Sequence, residues 1–155
     1  AFNVQVDEKT NKSNKKLRKI ITHEVLKAIV GFLNQLGGKV LVGVNDDGIV
    51  KGISRDKELF KNLDEMLRYL ESKIIEFIGE NVILEYIELG FHYHEASEQT
   101  VLVIECKRSE DPVYLKHFES KKEKQFYVRY IASTRQIPLE KVSAYIDKHF
   151  PNRQR

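Results

Sequence analysis

Apolar positions in this chain fall into three helical periods, joined by short runs of β-type residues. Leu17, Ile20, Ile21, Val25, Ala28 and Phe32 recur at spacings of three and four, the signature of one helix face. Leu26, Ile29, Val30, Leu33 and Leu36 widen that stripe, which predicts a helix deeply buried over its second half. Ser13 or Asn14 is placed to cap its start. Gly37-Gly38 is placed to stop it, because glycine closes a helix in the left-handed conformation at little cost. Leu59, Leu63, Met66, Leu67, Leu70, Ile74, Phe77 and Ile78 form a second, clearer amphipathic period. A third helix begins at Pro138, since proline is favoured in a first turn, and runs to about His149.

The strands read from alternation and from apolar runs. Phe2, Val4 and Val6 alternate with polar residues, which predicts a first strand. Val40, Leu41, Val42 and Val44 are nearly continuous, as in a strand inside a sheet. Asn45-Asp46-Asp47-Gly48 is turn chemistry, and Ile49, Val50 and Ile53 predict the returning strand of a hairpin. Further strands are predicted within 82–93, 100–106, 113–115 and 126–130. The order is then β-α-β-β-α-β-β-β-β-α. It describes an α+β sandwich in one domain spanning 1–155, with a mixed or antiparallel sheet, two long helices and a C-terminal helix.

Composition narrows the class. With 155 residues and 41% hydrophobic content, the chain is long enough to bury roughly 68–70% of its unfolded surface. The only cysteine, Cys106, excludes an internal disulfide and suits a reducing compartment; it reads as a buried small residue. There is no 18-residue apolar run and no charged-then-apolar leader, so the expectation is a soluble, cytoplasmic protein with no membrane partner. The net charge of +3 permits a nucleic-acid partner without requiring one. Its distribution is uneven: Lys9, Lys12, Lys15, Lys16, Arg18 and Lys19 form a run without an acid, which is either a solvated helix face or a phosphate-facing one.

Two ordered motifs carry a family resemblance. In the first, Phe32, Asn34, Gly37, Gly38, Gly43, Val44, Asp46 or Asp47, Gly48 and Gly52 match a helix–Gly-Gly–strand–Gly-Val-x-Asp-x-Gly pattern. In the second, Ile104-Glu105-Cys106, the turn from Ser109 to Val113, and Tyr127-Val128-Arg129 to Ser133-Thr134-Arg135 appear in order. Together they resemble the Schlafen-type Alba-like domain, a family described as DNA-binding. The resemblance implies an α+β sandwich and a nucleic-acid partner, with a homodimer as an option. Two departures stand out. The family's opening Glu-Phe-Lys aligns either with Asn3-Val4-Gln5 or with Asp7-Glu8-Lys9. The glycine that often follows Tyr-x-Arg-x is replaced by Ile131, which predicts a tighter-packed or differently shaped turn.

Several chemistries compete. Some relatives resemble metal-dependent endoribonucleases with a three-carboxylate site, in which acids hold a divalent ion that activates water. Here Asp46 matches the turn acid and Asp47 adjoins it, with Asp7 and Glu8 as the possible partners; Glu105 is a further acid to locate. The plain alternative is a hairpin turn that favours these residue types. His92 and His94 share a strand face, yet two histidines fall short of a metal site, so neither a metal nor another cofactor is expected outside the nuclease case. For binding, one candidate surface is Lys12, Lys15, Lys16 and Lys19. The other is Lys107, Arg108, Lys122, Lys124, Arg129 and Arg135 across the last sheet, interleaved with Tyr114, Tyr127 and Tyr130, which can stack on bases. Arg129 beside Ser133-Thr134 suits an anion, or else a structural bridge to Glu105 or Asp47. The leading reading is a non-catalytic nucleic-acid-binding domain. The rivals are the endoribonuclease and an oligomerisation module whose sheet edges pair with another subunit.

Overall fold

The first helical period forms α1, Asn14–Leu33. In this computed structural model the residues described are 2–4, 14–44, 47–50, 52 and 62–153. The sequence expectations at Val6, Ser13, Ile53 and Leu59 lie outside them. Val25, Leu26, Ala28, Ile29, Val30 and Leu33 are fully buried. Burial all round the helix needs cover on both sides, and α1 has it. One side faces a sheet of β1 (Phe2–Val4), β2 (Gly38–Val42), β3 (Ile87–His94) and β4 (Gln99–Cys106). Across the other lie two short hairpins, β5 (Leu115–Lys116) with β6 (Lys124–Gln125), and β7 (Tyr127–Arg129) with β8 (Thr134–Gln136). The main sheet has the order β1-β2-β4-β3. It is mixed, since β1 runs parallel to β2 and the other pairs are antiparallel. This is the expected α+β architecture.

α2, Leu63–Phe77, starts where Asn62 accepts the Glu65 amide at 2.8 Å, a side-chain cap that satisfies an orphan donor. It buries Met66, Leu70, Ile74 and Phe77 against the same core as α1. α4, Leu139–His149, follows Pro138 and joins Phe126, Val128 and Phe150 in a smaller second cluster. Phe126 and Tyr127 therefore serve different cores, one on each strand face.

Three details differ from the sequence expectation. Residues 82–85 are not strand: Glu80–Glu85 form a short helix, α3, before β3 begins at Ile87. Among the described residues the hairpin after β2 shows one bridge, Val44 to Val50, with the Gly52 amide on the Gly43 carbonyl at 2.8 Å. Among the described residues the last strands make two separate hairpins, β5–β6 and β7–β8, and not one sheet. Apolar content in these short segments marks burial against α1, which neither periodicity nor strand propensity distinguishes from pairing.

Asn34 joins these parts. It is 1% exposed. Its Oδ1 accepts the Val113 amide at 2.8 Å, and its Nδ2 donates to the carbonyls of Val113 and Tyr127 at 2.8 and 2.9 Å. Removing it leaves buried groups unpaired, each costing ~1–3 kcal/mol. Asn34→Ala is expected to lower unfolding free energy by about 3 kcal/mol in a urea titration, with the slope unchanged.

His23, midway along α1, packs against Phe118 at 4.5 Å between centroids. Burial lowers its pKa, helped by Lys27 and His117 and opposed by Glu24. A base with a depressed folded pKa stays neutral in the folded state while the unfolded chain takes up a proton. Stability is therefore full above the ordinary histidine value of about 6.5, and falls as pH drops from there toward the folded pKa. Chemical denaturation between neutral and mildly acidic pH is expected to show this loss, and His23→Gln to make it smaller.

Candidate nucleic-acid interface

The β7 backbone crosses α1 at Gly31. A Cβ there would lie 2.9 Å from Thr134 Cγ2 and 3.2 Å from the Arg129 amide nitrogen. That approach sets Arg129 over the Phe32 ring, 5.2 Å from its centroid, with Nη1 donating to Thr134 Oγ1 at 3.3 Å. Burial lowers the pKa of Arg129, but a guanidinium stays cationic. The turn between β7 and β8 is closed by the Tyr130 amide on the Ser133 carbonyl at 2.8 Å. Arg135 lies over the Tyr130 ring at 4.8 Å and donates from Nε to Ser133 Oγ at 3.2 Å. Tyr130 is 45% exposed and Ile131 wholly so. The turn is thus not tighter packed. No residue in it takes a positive φ, so isoleucine replaces glycine without strain.

A second segment reaches the same end of α1. Gly37 has φ +76°, and a Cβ on it would meet the Cys106 carbonyl oxygen at 2.6 Å and the Arg108 amide at 3.1 Å. The Ser109 amide donates to the Leu33 carbonyl at 2.8 Å. Lys107 and Arg108 therefore join Arg129 and Arg135 around the C-terminal turn of α1. Arg108 donates from Nη2 to the His149 carbonyl at 2.6 Å, at the C-terminus of α4, where a cation is favoured. Tyr145 sits between them, its hydroxyl 2.8 Å from the Asn34 carbonyl and 2.7 Å from Gln35 Oε1. Burial raises its pKa, Arg108 opposes the shift, and Tyr130 adds to it.

The remaining basic candidates stand elsewhere. Lys124 at the start of β6 and Lys122 on the β5–β6 loop are exposed. Its Phe118 stacks on Phe77 at 4.2 Å, and its Lys121 pairs with Glu76 at 2.6 Å. Lys121 and Lys73 together hold the Glu76 carboxyl below its ordinary pKa. This loop meets α1 at His23, eight residues before Gly31, or ~12 Å along the axis. Lys19 is exposed in that same half of α1. Lys15 and Lys16 lie in the first turn of α1 by backbone position, and Lys12 lies outside the described residues. The six cations expected across one last sheet are thus divided between two stations. Of the three tyrosines read as stacking candidates, Tyr127 is buried and Tyr114 packs on Phe126, which leaves Tyr130.

Among the described residues the turn acid Asp47 lies at the other end of the sheet from Glu105. That residue pairs in register with Lys39 and Glu88. Gly52 instead packs on Gln99, at the far end of β4, six residues or ~20 Å away. Asp47 is exposed beside the turn, and Asp46, Asp7 and Glu8 lie outside the described residues. Among the described residues no group of three or more histidine, cysteine or acidic side chains is placed to hold a metal. His94 is engaged locally, its Nδ1 2.7 Å from Ser97 Oγ. Cys106 is buried, which pushes its thiol up to about 12. Among the described residues no helix is long and apolar enough to cross a membrane.

A family model described as Schlafen, AlbA_2 matches residues 3–138, an interval that includes Asn34, both glycine turns and the whole β7–β8 hairpin. The chain belongs to the Schlafen, AlbA_2 family. The crystal structure of the DIP2311 protein from Corynebacterium diphtheriae matches 94% of this chain with a TM-score of 0.57 and 14% identity. That likeness concerns the fold. This Schlafen, AlbA_2 chain spans 24% of the length of that protein's chain.

Two residues at the site carry no sequence signal for their roles: Tyr145, which reaches α1 from α4, and Arg108, which caps α4. Gly31 is a third. Alanine in place of a helical glycine ordinarily stabilises by roughly 0.5–1 kcal/mol. Here the contact with the β7 backbone reverses the sign, and Gly31→Ala is expected to cost about 1–3 kcal/mol by thermal or urea unfolding.

Proposed function

We propose that this chain binds nucleic acid through the β7–β8 turn and the adjoining 107–108 segment, and that it acts as a binding module and not as a hydrolase. The observation that carries the reading is the Arg135 guanidinium over the exposed ring of Tyr130. An exposed aromatic face with cations around it is how proteins hold single-stranded nucleic acid without reading its sequence. Lys107, Arg108 and Arg129 border the same turn, and guanidinium groups suit phosphate geometry. Membership of the Schlafen, AlbA_2 family supports a nucleic-acid partner. Of the acids the hydrolase reading draws on, those described are Asp47, in the turn after β2, and Glu105, opposite the start of β2.

Fluorescence titration with single-stranded DNA, single-stranded RNA and duplex DNA over a salt series tests the proposal. Tyr130→Ala is expected to weaken single-strand binding about tenfold, the loss of ~1–3 kcal/mol of stacking. Arg135→Ala is expected to lower the slope of log affinity against log salt by ~0.7 on a single strand. Lys122→Ala, at the other station, is expected to leave both nearly unchanged. Absence of binding at low salt for every polymer overturns the proposal. So does binding that depends on Lys122 and Lys124 but ignores Tyr130 and Arg135.

A further inference from the structure

β3 is an edge strand with eight residues in unbroken register against β4. Among the described residues no strand pairs with its other side. Edges of this length are normally protected by lysine, proline or a bulge. Ile87–His94 has none of these: its sequence is IELGFHYH, and its pairing runs without a slip.

The geometry of the open edge follows from one bond. The Lys107 amide donates to the Tyr86 carbonyl at 2.9 Å, so Tyr86 and every second residue after it exchange bonds with β4. Ile87, Leu89, Phe91 and Tyr93 therefore turn their amides and carbonyls outward. A partner strand must bond to these four.

Side-chain chemistry makes the edge self-complementary. Glu88 stands opposite Glu105, a like charge, which is unfavourable across a strand pair. Lys39 lies one strand further, opposite Glu105. On the same face of β3, Gly90 follows Glu88, then His92 and His94. Glu88 and His92 are exposed, and a Cβ on Gly90 would meet nothing within 4 Å.

We propose that β3 pairs antiparallel with β3 of a second copy of this chain, about a two-fold axis through Gly90. In this register Glu88 of each copy faces His92 of the other, twice by symmetry. Ile87 faces Tyr93 and Leu89 faces Phe91, so all four outward-turned residues bond in both copies. Moving the axis to residue 89 or 91 loses bonded pairs. The axis at 91 also sets Glu88 against His94, which is already held by Ser97. Faces match across the join: the helix-covered side of one sheet continues into that of the other, and exposed Tyr93 gains a neighbour. The inference is independent of the nucleic-acid reading, because β3 lies outside that interface.

Light scattering after size exclusion and sedimentation equilibrium, over a concentration series, test it. The chain is expected to sediment at twice its own mass at high concentration. Glu88→Lys and His92→Glu singly are expected to raise the dimer dissociation constant on the order of tenfold, since each disturbs two cross-strand pairs. Combined, they set lysine against glutamate and are expected to recover most of the affinity. Tyr93→Pro removes an outward donor while leaving the β4 side intact, and is expected to give a monomer with an unchanged circular dichroism spectrum. A monomer at every concentration overturns the proposal. So does a dimer indifferent to the charge variants, which does not depend on how Tyr93→Pro folds.

Discussion

Asn34 holds this molecule together at its least forgiving point. It closes α1, and its one side chain fixes the backbone of two later segments at Val113 and Tyr127. Its own carbonyl meets the Tyr145 hydroxyl from α4. A buried amide in that position is neither optional nor replaceable by an apolar side chain, because the backbone groups it satisfies have no water to fall back on. The partners are 79 and 93 residues away in sequence. Local propensity therefore brings none of them together. The amide acts as a gauge of whether the hairpins have docked on α1 at the correct height.

The candidate interface inherits its geometry from this joint. With Tyr127 held at Asn34, β7 runs across Gly31 and delivers Arg129 to the Phe32 ring. The Gly37 turn then admits the 106–108 segment from the other side. Two glycines and one asparagine, none of them a contact residue, thus decide where four cations stand. The β5–β6 loop is tied separately, through Phe118 to Phe77 and His23 and through Lys121 to Glu76. This is the physical reason that its lysines form a different station.

Much of the fold was legible from periodicity. The three long helices, β2, β4 and the glycine stop after α1 all follow from patterns that the structure repeats. What was not legible has a common cause. Residues 82–85 and the last strands are short apolar segments whose conformation is chosen by what covers them. A two-residue ladder such as β5–β6 leaves no alternation to read. The site was legible in composition but not in arrangement. Arg129 and Arg135 were visible as residues of a motif, whereas the division of the basic residues into two stations depends on which hairpin docks where. Tyr127 and Tyr130 looked equivalent in sequence, yet one is core and the other is open. Two residues on a twisted two-stranded hairpin, Val128 and Arg129, separate them.

The cations at the end of α1 stand in a field of mixed sign. The C-terminal carbonyls of α1 point toward them, a partial negative charge that opposes an incoming phosphate. Those carbonyls are not bare: Phe32 accepts the Gly37 amide, Leu33 accepts the Ser109 amide, and Asn34 meets Tyr145. The remaining dipole is offset by Arg108 and Arg129, each of which also has a structural contact. Charge spent in this way adds little to binding. Lys107 and Arg135 are exposed, and the contacts of Arg135 lie within the turn itself, to Ser133 and Tyr130. On the proposed binding reading, affinity leans on stacking at Tyr130 as much as on phosphate contacts. A face built like this would discriminate between stacked and unstacked bases far better than between one base and another.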